Sequence, residues 1–302
     1  MSHTYRLSSL KLVSDVELPE LMPWDGRAGA PVELVFRIGK VPAQLEAPDY
    51  VASFLQTKGR NRYLAGRSGN ARVLVENGSE VTVELAPGAN LTEARAILMG
   101  PVQAVLWHQR GLLPLHASAV RVNGRALALA GPSGVGKSTL AATLALKGHD
   151  VMADDICIIE AANGTEVLPS TPQLRLWRDA LEHFGIAVDG LPRALARSEK
   201  YLIEGGEWGE TEPRRLAAVV LLSRQASDSV TIERLRGARA IMELLGVVHR
   251  LPAARALGLE PAVFTGLTKL MAFDVAVWQL VMPDNRAYLD EAAAKVLTAL
   301  DG

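Results

Sequence analysis

Residues 115–155 read LHASAVRVNGRALALAGPSGVGKSTLAATLALKGHDVMADD, and this stretch decides the fold class. Two short runs, HASAVRV (116–122) and RALALA (125–130), flank Asn123-Gly124, a pair suited to the positive φ angles of a tight hairpin turn. The second run passes directly into Gly131-Pro132-Ser133-Gly134-Val135-Gly136-Lys137-Ser138, which fits the Walker A pattern G-x-x-x-x-G-K-[ST]. From Ser138 and Thr139 onward, STLAATLALKG has helical composition and stops at Gly148. A strand, a glycine-rich loop and a helix in that order are the context the pattern requires.

The chemistry of such a loop follows from its residue types. Glycines let successive backbone N–H groups turn inward around a phosphate, and the helix dipole adds positive potential. Lys137 is placed to reach the β and γ phosphates, and Ser138 offers an oxygen to Mg²⁺. Gly131 through Thr139 are therefore the candidate nucleotide-binding residues.

The run DVMADDICIIE (150–160) carries Asp154 and Asp155, where a P-loop fold places its acidic metal-binding strand end. Side chains alternate along a strand, so the two carboxylates are expected to diverge, one towards the Mg²⁺ at Ser138 and one towards the phosphate acceptor. That division suits a kinase, in which a carboxylate takes the proton of an attacking hydroxyl, better than an ATPase that only orients water. His116 opens the preceding strand, with Ser118 beside it, and on its own it reads as a structural histidine. The other histidines lack ligand spacing, so no zinc site is expected. Cys157 reads as a small buried hydrophobe.

Outward from this core, residues 1–90 alternate in short segments such as VELVFRIG (32–39), ARVLVENG (71–78) and SEVTVELAPG (79–88). They predict a small, mostly antiparallel β domain, with a type I′ hairpin at Asn77-Gly78. LTEARAILMGPVQAVLWHQRG (91–111) has helical spacing, a start at Asn90 or Thr92, and Pro101 to kink or divide it. The boundary is thus expected at residue 90, with a second domain over 91–302. Further on, the patterns predict a strand at 217–222, helices at 238–248 and 262–272, a strand VAVWQLVM (275–282) and a helix at 288–300. The polar stretch 193–215, with GGEWGETEPRR at its end, has the length of a substrate lid, and also of a plain surface connection.

Composition sets the outer bounds. The 302 residues are 49% hydrophobic and 22% charged, which excludes a disordered or collagen-like chain. A net charge of −1 supplies no global field for nucleic acid or an anionic membrane. No apolar run reaches bilayer length, the N-terminal residues contain no apolar secretion core, and a lone cysteine forms no internal disulfide, so a cytoplasmic location is expected.

Taken together, His116, GPSGVGKST and Ala-Asp-Asp resemble the catalytic core of the HPr kinase/phosphorylase family over about 45 residues. The resemblance implies an α/β fold: a P-loop kinase core of the HPr kinase/phosphoenolpyruvate carboxykinase type, a mixed sheet with helices, preceded by the small β domain. It implies ATP and Mg²⁺ as cofactors, with Lys137 and the loop amides on the phosphates, and Ser138 and Asp155 on the metal. It further implies Asp154 as general base, His116 beside the reacting phosphate, and self-association of the chain. PQLRLWRD places Gln173 and Arg175 where the family carries a further metal-linked carboxylate and an arginine. The layout is similar to short HPr-kinase-like proteins, some of which phosphorylate a serine of ribosomally made peptides, including lasso-peptide precursors.

The leading expectation is thus an ATP- and Mg²⁺-dependent serine kinase acting on a peptide or small protein. Arg175, Lys200, Arg214 and Arg215 are candidates to neutralise charge on the transferred group. A small-molecule kinase would use the same constellation, and a nucleotide-gated binding protein would use the loop without transferring phosphate.

Overall fold

The structure is a computed structural model that describes residues 2–26, 29–66, 71–162, 164–170, 173–193, 199–204 and 212–301. The chain forms two compact units, one of Met1–Pro114 with Arg250–Thr265, the other of Leu115–His249 with Gly266–Gly302. Among the described residues, no helix is long and apolar enough to cross a membrane.

The first unit is built on a sheet of strands β1 (His3–Leu7), β2 (Leu10–Ser14), β3 (Met22–Pro23), β4 (Leu34–Ile38), β5 (Tyr50–Ala52), β6 (Leu55–Lys58), β7 (Arg62–Ala65), β8 (Ala71–Glu76) and β9 (Glu80–Leu85), in the order β3-β1-β2-β4-β9-β8-β7-β6-β5. Pairing is antiparallel except where β4 lies parallel to both β2 and β9. Asn77 and Gly78 take positive φ of 56° and 64°, as the turn residues predict. The strands pair Glu76 with Glu80, so Ser79 joins the turn. A Cβ on Gly78 would lie 2.8 Å from the Arg110 side chain, because Arg110 Nη1 donates to the Gly78 carbonyl and Gln109 Oε1 accepts from its N–H.

Those two residues end the predicted helical stretch, which the structure divides into α1 (Leu91–Leu98) and α2 (Pro101–Gln109). Asn90 caps α1 by accepting from the Glu93 N–H at 3.1 Å. Pro101 occupies the first turn of α2, where its missing N–H costs nothing. Both helices therefore belong with the first sheet, as do residues 250–265, segments that patterning alone places with the second domain. Thr57, fully buried on β6, donates to the Ala256 carbonyl at 2.6 Å and ties that returning segment down.

The second unit is α/β with a mixed sheet. Its strands are β11 (Ala117–Val122), β12 (Arg125–Ala130), β13 (Asp150–Ala153), β18 (Arg214–Gln225), β19 (Thr231–Leu235) and β20 (Ala276–Pro283), numbered with the short β10 (Leu113–Leu115), β14 (Cys157–Glu160), β15 (Glu166–Leu168), β16 (Gln173–Trp177) and β17 (Lys200–Glu204). Strands β12, β18 and β20 run parallel; β11 and β13 continue one edge antiparallel, and β19 the other. Asn123 and Gly124 form the expected two-residue turn, with Val122 opposite Arg125.

Helix α3 (Lys137–Leu146) is buried along most of its length, packed against β11, β12, β13, β16 and α8 (Leu289–Asp301). That enclosure explains why its sequence is apolar on every side, from Leu140 and Ala141 to Leu144 and Ala145. Helices α4 (Arg178–His183) and α5 (Gly237–Gly246) also belong to this unit, whereas α6 (Leu251–Ala256) belongs to the first unit and α7 (Glu260–Ala272) begins there and ends in the second. The segment β16–β17 is a separate two-stranded antiparallel ladder, which sequence patterning missed. Residues 194–198 and 205–211 of the proposed lid lie outside the described residues.

Candidate active site

Strand β12 ends at Ala130, and the chain then turns through Gly131, Gly134 and Gly136 at φ of 147°, 83° and 109° before entering α3. These angles exclude ordinary side chains, and packing adds to the demand: a Cβ on Gly131 would lie 2.8 Å from the Leu222 carbonyl oxygen of β18. The loop therefore closes over the C-terminal end of the parallel strands, with the first amides of α3 facing the cavity beside it.

Lys137 is the first residue of α3 and is 7% exposed. Its ammonium donates to three neutral acceptors: the Gly131 carbonyl at 2.9 Å, the Pro132 carbonyl at 3.0 Å and His116 Nε2 at 3.0 Å. Burial holds its pKa down to about 8, against the pull of Asp155 and Asp154 in the other direction. A buried cation whose hydrogen bonds all go to neutral groups is electrostatically incomplete, and an anion in the adjoining cavity would complete it.

His116 is held between this lysine and the acidic turn. Its Nδ1 lies 3.1 Å from the Asp155 carbonyl oxygen, and accepting from Lys137 at Nε2 assigns the proton to Nδ1. Burial and then Lys137 depress the imidazole pKa, so the ring is neutral at pH 7. His249 stacks on it at 5.3 Å between ring centres.

The two aspartates do diverge, but the predicted continuous strand is broken. β13 stops at Ala153, Asp155 takes φ 71°, and the chain resumes as β14 at Cys157. Asp154 is buried; its Oδ1 accepts from Ser118 Oγ at 2.6 Å and Ser138 Oγ at 2.8 Å, and its Oδ2 from the Arg175 N–H at 2.8 Å. Asp155 is more open, with Arg175 Nη1 at 3.1 Å and His116 Nδ1 at 3.4 Å. Burial alone would raise its carboxyl, but Arg175, His116, His249 and Lys200 together hold it below its ordinary pKa. The resemblance pairs Ser138 with Asp155, whereas Ser138 is hydrogen bonded to Asp154.

One cavity brings together His116, Lys137, Ser138, Asp154, Asp155 and Arg175, and it also contains Ser133, Gly134, Gly136 and Thr139 of the loop. Gly131 and Pro132 face it through the carbonyls that hold Lys137, and Val135 turns its carbonyl to Arg224. Lys200 reaches the rim, 5.2 Å from the centre of the Trp177 ring. Arg214 and Arg215 do not: they open β18 and pair with Val167 and Glu166. Since Ala130 lies opposite Leu221, Arg215 stands six residues back along β18, about 20 Å from the loop. Gln173 pairs with Glu204 across the β16–β17 ladder.

Sequence reasoning missed Arg224, Arg286 and Trp177, which line the same cavity. Only Trp177 left a local signal, the alternation QLRLW that buries Leu174 and Leu176 and turns Gln173, Arg175 and Trp177 outward.

No family model matches the chain, and no curated protein matches it. Among solved structures it is similar to the Hpr(Ser) kinase/phosphatase from Coxiella burnetii, at 13% sequence identity and a TM-score of 0.34, over 63% of this chain and 99% of that one. The site geometry itself carries the functional reading that follows.

Proposed function

We propose that the protein is a phosphotransferase that moves the γ-phosphoryl group of ATP, with Mg²⁺, to a serine hydroxyl of a peptide or small protein. The observation that carries this reading is the buried, incompletely paired ammonium of Lys137 inside a glycine-rich loop, facing the same cavity as two carboxylates with different partners.

Ser138 Oγ and Asp154 Oδ1, 2.8 Å apart, are hard oxygen donors beside the loop. They fit Mg²⁺, which takes one or two carboxylates with substrate phosphates and retains waters. Among the described residues, no group of three or more His, Cys, Asp or Glu is gathered to hold a metal on protein ligands alone. When bound, Mg²⁺ supplies neutralisation of charge on the phosphate oxygens. The loop amides and Lys137 hold the polyphosphate, and Arg175 meets the charge on the group in transfer.

Asp155 is then the base. Its carboxylate is kept ionised by the cations Arg175 and Lys200, and it is the more accessible of the pair. In the step proposed, the serine oxygen forms a bond to the γ-phosphorus as the bond from that phosphorus to the bridging oxygen breaks. ADP leaves with that electron pair, and the hydroxyl proton passes to Asp155. The exposed Trp177, with Lys200 over its ring, gives the rim an aromatic and cationic surface on which a peptide side of the acceptor can rest.

Mass spectrometry of reactions containing Mg-ATP and serine peptides, with free serine and small alcohols in parallel, tests the reading. It expects a gain of about 80 Da on a peptide serine, abolished by Lys137→Ala. Asp155→Asn should slow transfer at least a hundredfold while ATP still binds, in line with the usual weight of a general base. Wild-type transfer by Asp155→Asn would sink the base assignment. Transfer confined to small alcohols would move the reading to a metabolite kinase, and tight binding without transfer to a nucleotide-gated protein.

A further inference from the structure

Three parallel strands, β12, β18 and β20, deliver their C-terminal ends to one place, the location where open α/β sheets bind ligands. β12 delivers the glycine-rich loop. β18 delivers Arg224 near its end, and the turn after β20 delivers Asp284, Asn285 and Arg286.

Arg224 lies against the loop itself. Its Nε donates to the Val135 carbonyl at 3.0 Å and its Nη1 to Asp284 at 2.6 Å, leaving Nη2 beside Gly136. A Cβ on Gly136 would stand 3.1 Å from that nitrogen, so glycine there admits the guanidinium to the N-terminus of α3. Arg286 donates to Asp179 at 2.6 Å, yet its buried Nε has no hydrogen-bond partner among the described residues. Both arginines face the cavity that contains Lys137. Two guanidinium groups, a buried ammonium and a helix N-terminus therefore converge, and the partners of the arginines, Asp284 and Asp179, are themselves largely exposed to solvent. Asp154 and Asp155 line the same cavity but are already paired with Ser118, Ser138, Arg175 and His116, so the buried Arg286 Nε is a donor that an anion in the cavity would satisfy.

We infer that Arg224 and Arg286 form a second cationic clamp on the polyphosphate of the nucleotide, opposite the side held by Lys137. This inference rests on the nucleotide reading above and adds residues to it. It predicts that the clamp holds the diphosphate part, so that ADP and ATP depend on it alike.

Titration calorimetry with Mg-ADP and Mg-ATP tests the clamp on the full chain, using Arg224→Gln, Arg286→Gln and Lys137→Ala. Each arginine variant should bind both nucleotides about tenfold more weakly or worse, as expected for a lost charge-assisted hydrogen bond. Because Arg224 also bonds the Val135 carbonyl and Asp284, Arg224→Gln should lower the thermal midpoint without nucleotide, whereas Arg286→Gln should leave it near that of wild type and still lose affinity, which separates a ligand contact from a brace for the loop. Arg224→Lys, which keeps the charge but not the fork, should recover part of the affinity. Affinities within twofold of wild type in both glutamine variants, with Lys137→Ala clearly weakened, would overturn the clamp alone. If Lys137→Ala also binds as wild type does, the nucleotide reading itself fails.

Discussion

Lys137 carries a desolvation cost that its sequence position does not reveal. Because burial brings its pKa to about 8, while the unfolded chain retains the ordinary value of 10.5, the unfolded state binds the extra proton between those values. Stability measured without nucleotide therefore rises with pH across that window. Lys137→Met removes the effect, so its stability relative to wild type should fall by on the order of 1 to 3 kcal/mol between pH 7 and pH 11, read from urea midpoints. A constant offset would show that the lysine carries no such penalty. Cys157 offers a second test: it is fully buried, and burial pushes its thiol up to about 12. Iodoacetamide should leave it unmodified in the native protein at pH 8 and alkylate it in urea, as followed by mass spectrometry. At this scale the sequence was legible wherever spacing is local. The motif from Gly131 to Ser138, the paired aspartates and the turn at Asn123-Gly124 all lie within one short stretch. Arg224 and Arg286 were illegible because strand pairing, not spacing, brings them to the loop.

The elements around the loop separate two duties, stability and binding, that substitutions can tell apart. Leu140 is fully buried on α3, so Leu140→Ala should cost about 2 to 5 kcal/mol in chemical denaturation yet leave nucleotide affinity near wild type in the folded fraction. Gly131→Ala should do the reverse. Its Cβ meets the Leu222 carbonyl at 2.8 Å with φ at 147°, so the loop must shift, at a cost of about 1 to 3 kcal/mol and with most of the nucleotide affinity lost. Helix and strand periodicity predicted α3, α5, α7, α8, β12 and β20 close to their observed spans. It failed at Asp155, where no glycine or proline announces the break between β13 and β14. It failed again at the β16–β17 ladder, whose second strand is separated from the first by residues 178–199, which include helix α4.

At the scale of the whole molecule, the first unit is assembled from two distant pieces of chain. Local composition changes at residue 90, which is why patterning places a boundary there. The packing of α1 and α2 against β9 and β8, and the return of 250–265, depend on contacts that no local window contains. A fragment ending at residue 114 therefore lacks the backbone that satisfies Thr57 and the helix that packs on α2. It should give poorly dispersed amide resonances alone and gain dispersion when a peptide covering 250–265 is added. A well-dispersed spectrum from the fragment by itself would show that the returning segment is dispensable.

That discontinuity also imposes a timetable on synthesis. A ribosome that has released the first sheet must still make the whole of 115–249 before the closing segment exists, a delay of roughly 10 to 30 seconds at ordinary elongation rates. During that interval the Thr57 hydroxyl on β6 and the face of α2 lack the segment that covers them, which exposes the nascent chain to holding chaperones. Codon changes that slow translation between 115 and 249 should lower the soluble yield of an otherwise unaltered protein.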